Sequence, residues 1–214
     1  MYSAQEAVGK DTNAIMQGWV DRGPWQYWDT VVFPAAGIGP VAQQYSPFSV
    51  QIGQQNPLTA VVTTKTKLQT NITRSNQFPP PRCLLLMAIG FYFQGNWLKE
   101  DLDKILNSCY MEFKIDEKIF HEGFLWMFPP GAGLMGVTTQ QAESVYTVGL
   151  PAPQAMRRMG DWSKYIAPSQ QFSMTLNFGG GGVAVPSIGD EQSEADYPGQ
   201  LVVFLDGLTD RSVQ

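Results

Sequence analysis

The sequence predicts an all-β fold, and three observations carry that expectation. Apolar or alternating segments of four or more residues recur about eight times, β-branched and aromatic residues fill them, and only Trp97 to Asn107 repeats its apolar residues at helical spacing. Strands in that number with one short helix point to an antiparallel jelly-roll β-sandwich, not to an α/β enzyme in which strands and helices alternate. At 214 residues and 43% hydrophobic, the chain can bury a sizeable core in one domain. No internal repeat or linker divides it. A composition shift near residue 50 separates an extended, aromatic-rich N-terminal arm, 1–48, from a sandwich domain, 49–214.

In chain order, Met1 to Asn13 is polar and weakly patterned. An aromatic block follows, with Trp19, Trp25, Tyr27, Trp28 and Phe33 interrupted by Gly23-Pro24 and followed by the Gly- and Pro-bearing stretch Ala35 to Pro40. Proline removes a backbone donor, so the block reads as an extended arm. Its aromatics have two destinations, the arm's own domain or a neighbouring subunit, since Trp and Tyr fill domain cores and are also enriched at interface cores. Those five aromatics are the candidate subunit-interface residues.

Ser49 to Ile52 reads as a short strand, and Val61 to Thr73 as a longer one. In the longer strand Val62, Thr64, Thr66, Leu68, Thr70 and Ile72 share one face, opposite Lys65, Lys67, Gln69 and Asn71. Asn71-Ile72-Thr73 matches a glycosylation sequon, but it falls within that strand and no secretion signal accompanies it: Met1 to Lys10 lacks a basic start and an apolar core. Cys83 to Phe93 is an uncharged apolar run after Pro79-Pro80-Pro81, read as a buried strand and too short for a membrane span. Trp97 to Asn107 is the helix, Tyr110 to Phe120 an alternating strand, Phe120 to Gly123 a turn, and Phe124 to Phe128 a second strand before a Gly-Pro corner. Ser144 to Leu150 alternates, and Pro151 to Ser169 reads as a long connection. Phe172, Met174, Leu176 and Phe178 alternate inward. Leu201 to Leu205 is a buried strand, with Asp206-Gly207 as a turn after it.

Charge narrows the function. Only 15% of residues are charged, with a net charge of −5, so the surface is neutral-polar or covered by partners. The basic residues are scattered, without the patch or arm of a nucleic-acid binder, so no direct nucleic-acid binding is expected. Cys83 and Cys109 do not make a disulfide framework and read as small residues in or near the core. His121 is the single histidine, so any Ser-His or Cys-His catalytic set has to use it, and two Cys with one His fall short of a zinc site. Gly131-Ala132-Gly133-Leu134-Met135-Gly136 matches a dinucleotide fingerprint literally, but Pro129-Pro130 precede it and Val137-Thr138-Thr139 opens a helix poorly. It reads as a glycine corner. Gly179 to Gly182 lacks the Lys-Ser or Lys-Thr of a P-loop, and Asp190, Glu191, Glu194 and Asp196 follow no EF-hand spacing. No catalytic residue, cofactor or metal is assigned.

The order of pieces resembles single jelly-roll capsid proteins of icosahedral, tailless bacteriophages. Phe78-Pro79-Pro80-Pro81-Arg82 leading into Leu84 to Phe93 carries the resemblance, with the helix from Lys99, Tyr110 to Phe120, and Leu125-Trp126-Met127-Phe128-Pro129-Pro130-Gly131. So do Phe172 to Phe178, Leu201 to Leu205, and the ending Asp206 to Gln214. It spans 60–214 and rests on layout. The resemblance implies a coat protein without an enzymatic site, located in the virion shell. Its partners are then copies of itself and other capsid proteins, often above an internal lipid membrane. The alternative is a β-sandwich carbohydrate-binding module that stacks sugar rings on Trp25, Trp28 or Trp162.

Overall fold

The computed structural model describes residues 20–33, 43–55, 64–94, 99–129, 131–132, 150–151, 156–159, 164–179 and 200–212. Ten strands, one α-helix and one 3-10 turn form within them: β1 (Val20–Val32), β2 (Gln43–Tyr45), β3 (Leu84–Gln94), α1 (Lys99–Ser108), β4 (Cys109–Ile115), β5 (Lys118–Phe124), the 3-10 turn (Leu125–Met127), β6 (Gly131–Ala132), β7 (Leu150–Pro151), β8 (Lys164–Ile166), β9 (Phe172–Phe178) and β10 (Gln200–Ser212). Two four-stranded sheets have the orders β1-β10-β3-β8 and β2-β9-β4-β5, and β6 pairs only with β7. The chain is therefore an all-β sandwich with one short helix.

The pairing is nested. β1 runs antiparallel to β10, β2 to β9, β3 to β8, and β4 to β5, as in one long ribbon doubled back on itself. Further antiparallel ladders, β10 to β3 and β9 to β4, join the windings of that ribbon into two sheets. The core between the sheets is drawn from alternate positions. Cys109, Met111, Phe113 and Ile115 of β4 and Phe172, Met174, Leu176 and Phe178 of β9 all point inward, as their alternation predicts. On α1, Leu102 and Ile105 are buried and Leu106 is partly so, again at the expected spacing.

β3 is a continuous apolar run for a structural reason. Gly207 of β10 pairs with Leu86 while Asp206 pairs with Ala88, which leaves Met87 as an extra residue. That bulge switches the inward positions from Leu84 and Leu86 to Ile89, Phe91 and Phe93. Ala88 faces outward, where Met156, Phe204, Trp28 and Tyr92 cover it. A strand buried on both faces needs no polar alternation. Asp206-Gly207 is accordingly not a turn. It lies inside the thirteen-residue β10, and Gly207 fits because a Cβ there would overlap the Leu85 carbonyl oxygen.

The arm reading does not hold for residues 20–33 and 43–48, because β1 and β2 are strands of the sandwich itself. Gly23-Pro24 does not interrupt β1, which lies at a sheet edge where a missing N–H leaves no ladder bond unmade. Residues 49–52 form turns instead of a strand, following Phe48, whose φ is 65°. Residues 64–73 also form turns: the Gln69 and Thr70 N–H groups both donate to the Thr66 carbonyl. The expected faces reverse there, with Lys65 buried and Leu68 90% exposed. Residues 56–63 lie outside the described residues.

The expected strand Tyr110 to Phe120 is a hairpin, turning at Asp116-Glu117 with Asp116 at φ 54°. His121 lies in β5 and not in a turn, and Leu125 to Met127 is a 3-10 turn and not a strand. The connection 151–169 contains β8, whose Lys164 pairs with Leu86. Gly131-Ala132 of the glycine-rich stretch forms β6. The acidic loop at 190–196, Gly180 to Gly182 and residues 144–149 fall outside the described residues.

Candidate functional site

The five predicted interface aromatics separate. Tyr27 and Phe33 belong to the chain's own core, each 2% exposed. The Tyr27 ring lies 4.3 Å from Phe78, and Phe33 meets Tyr45 and Phe178 edge-on at 5.4 and 5.8 Å. This corrects their expected place at a subunit contact: β1 is in the sandwich, so its inward positions fill the gap between sheets. Trp28 points to the outer face, packed beside Ala88, Met156 and Phe204. Trp25 remains at the surface, 36% exposed, while Trp19 and Trp162 lie outside the described residues.

Sheet edges are built differently from one another. The free edge of β1 is closed by Asn71, whose Oδ1 accepts the Trp28 N–H at 2.9 Å and whose Nδ2 donates to the Gln26 carbonyl at 2.8 Å. That carboxamide, the acceptor of the sequon, imitates a neighbouring strand. β2 and β8 are edge strands of three residues each. β5 is a seven-residue edge strand, and no described strand pairs with its far side. Tyr110, Glu112 and Lys114 of β4 alternate with the core positions and so face outward. Their ladder partners Phe124, Glu122 and Ile119 share that face. Ile119 and Phe124 are exposed, and Trp126 just beyond is 56% exposed. This apolar edge was not read from the sequence. Its signal, Ile119 and Phe124 flanking a charged centre, lies across a register shift between Phe113 and Lys114.

No family model, curated protein or solved structure matches the chain.

A second feature lies where the edges of the two sheets meet. β5 ends one sheet and β8 the other. Lys164 of β8 reaches across to the Phe120 ring of β5, its Nζ 5.2 Å from the ring centre, and Lys118 approaches the same ring at 5.8 Å. Arg157 stacks its guanidinium 5.3 Å from the Phe128 ring. His121, beside Phe120, has a ring Nε2 that is buried and unpartnered. Burial, then the charges of Arg157 and Lys164, push its pKa below the ordinary 6.5.

Elsewhere the polar groups serve the fold. Cys83 and Cys109 are buried, unbonded thiols whose pKa values burial raises, which is the environment of an inert cysteine. Among the described residues no three His, Cys, Asp or Glu side chains gather where they could share a metal ion. No described helix is long and apolar enough to cross a membrane.

Proposed function

We propose that the chain is a structural coat subunit of an icosahedral viral shell, assembling with copies of itself and other capsid proteins in the virion. The nested strand pairing carries the reading. A doubled ribbon wound into two facing four-stranded sheets is the plan of a jelly roll, an architecture shared by viral capsid domains and lectins. Two properties favour the first. Charge is sparse, at 15% of residues, and the apolar exposure at Ile119, Phe124 and Trp126 is gathered along one open sheet edge, as a surface covered by other subunits would be. An internal lipid layer is compatible with this role, and a net charge of −5 gives the chain no general attraction for nucleic acid.

The exposed indoles of Trp25 and Trp126 favour a second reading, a carbohydrate-binding module that stacks sugar rings on them. Light scattering and electron microscopy of the purified full chain distinguish the two. Symmetric oligomers or shells, with no response on a glycan array, support the coat subunit. A monomer at all concentrations whose Trp fluorescence is quenched by a glycan overturns it.

A further inference from the structure

We propose that the cleft between the β5 and β8 edges binds an oxyanion of the phosphate class, held by Arg157 and Lys164 against the ring of His121. The inference does not depend on the coat-subunit reading.

Three observations converge on it. The first is charge without counter-charge: among the described residues no carboxylate pairs with Lys118, Arg157 or Lys164, although the chain as a whole is acidic. The nearest acid along β5, Glu122, is directed to the outer face opposite Glu112, where the Tyr110 hydroxyl bonds to it. The second is placement. Lys164 and Lys118 lie over one aromatic ring and Arg157 over another, so hydrocarbon backs the cations and fixes their positions beside the cleft. The third is the unsatisfied His121 Nε2, a buried group whose partner is missing and whose lone pair or proton has a cost when left unmet.

A dianion answers all three. Arg157 and Lys164 match its two charges, the planar guanidinium donates two parallel hydrogen bonds to adjacent oxygens, and Lys164 adds a point charge. His121, which Arg157 and Lys164 keep from protonating, takes up a proton once the anion offsets their charge, and its Nε2–H then donates to a third oxygen. Phe113, opposite His121 on β4, is apolar and brings no competing charge. The phosphate has two sources, a soluble phosphate or the headgroup of an anionic lipid.

His121 is the single histidine, so its ring protons report the site alone. The full chain is titrated by NMR at constant ionic strength, once with inorganic phosphate and once with chloride. The expected result is a saturable shift of the His121 signals by phosphate only, with its pKa moving upward. In Arg157→Gln/Lys164→Gln the phosphate affinity falls roughly tenfold or more. Arg157→Lys/Lys164→Arg, which keeps both charges, retains binding, and this separates charge loss from damage to the fold. Flotation with phosphatidic acid vesicles against phosphatidylcholine vesicles then assigns the source: binding to the former alone, lost in the Gln variant, indicates a headgroup, and NMR binding without flotation indicates soluble phosphate. Equal responses to chloride and phosphate, or a phosphate shift unchanged in the Gln variant, overturn the proposal.

Discussion

Lys65 meets Asp29 inside the protein, with its Nζ 2.6 Å from Oδ1 and both side chains almost fully buried. The other carboxylate oxygen, Oδ2, accepts the N–H of Phe48 at 2.7 Å. Phe48 has a φ of 65°, a conformation costly for a bulky residue, while its ring is wholly buried. One aspartate on β1 thus holds a lysine brought in by the 64–73 turns and the strained backbone that seats an aromatic in the core. Burial pushes the Asp29 carboxyl up, and Lys65 and the Phe48 N–H draw it back.

Removing either partner leaves the other buried and unmatched. Asp29→Ala should cost about 3–5 kcal/mol of unfolding free energy in urea, and Lys65→Met less, because only the aspartate variant also orphans the Phe48 N–H. The double variant Asp29→Leu/Lys65→Met should cost less than the sum of the singles. Strict additivity in that cycle would contradict the coupling.

Asn71→Ala removes both hydrogen bonds that close the β1 edge. At about 0.5–1.5 kcal/mol per bond, the loss should be ~1–3 kcal/mol. The bared edge should also raise the tendency of the protein to aggregate, measured by light scattering at equal folded fraction.

Gly207→Ala places a methyl group on the Leu85 carbonyl, where only backbone movement relieves the clash. It should destabilise by about 2–3 kcal/mol. Gly90→Ala meets instead the ring of Phe204, which lies on the outer face and can tilt away, so its cost should be smaller. Thermal unfolding of the two variants side by side tests the order.

Acid should destabilise the protein in two steps. The fold lowers the His121 pKa below 6.5, so the unfolded chain binds that proton more tightly; its contribution is full above about pH 6.5 and is lost as pH falls through the folded value. His121→Gln should flatten that part of the stability profile. For Asp210, burial raises the pKa, but the two hydrogen bonds from Arg22, at 2.6 and 2.7 Å, bring it below 3.8 overall. That stabilisation is present above pH 3.8 and lost below it, and Arg22→Met should remove this second step.

Trp126→Ser with Phe124→Thr should change unfolding free energy by no more than about 0.5 kcal/mol, since both side chains are exposed. Under the coat-subunit proposal the same variant should assemble poorly, as read by size exclusion and microscopy. Normal assembly would remove the β5 edge from the contact.

The sequence alone determined the elements whose signal is local. β9 and β4 alternate at period two and α1 at helical period, because each side chain's direction follows from its own backbone and every inward position meets the same apolar core. Only the tertiary structure decided the places where a distant partner overrides that rule. Lys65 turns inward because Asp29, 36 residues away, is there to receive it, while Leu68 on the adjoining turn stays in solvent. Trp25, Tyr27, Trp28 and Phe33 read as one aromatic arm until β10 pairs with β1 and sends Tyr27 and Phe33 to the core. Asp206-Gly207 carries the chemistry of a turn, yet β3 on one side and β1 on the other hold it in a strand, with the extra residue supplied by Met87. In each case the energy lies in a contact between segments far apart in the chain, which no window along the sequence contains.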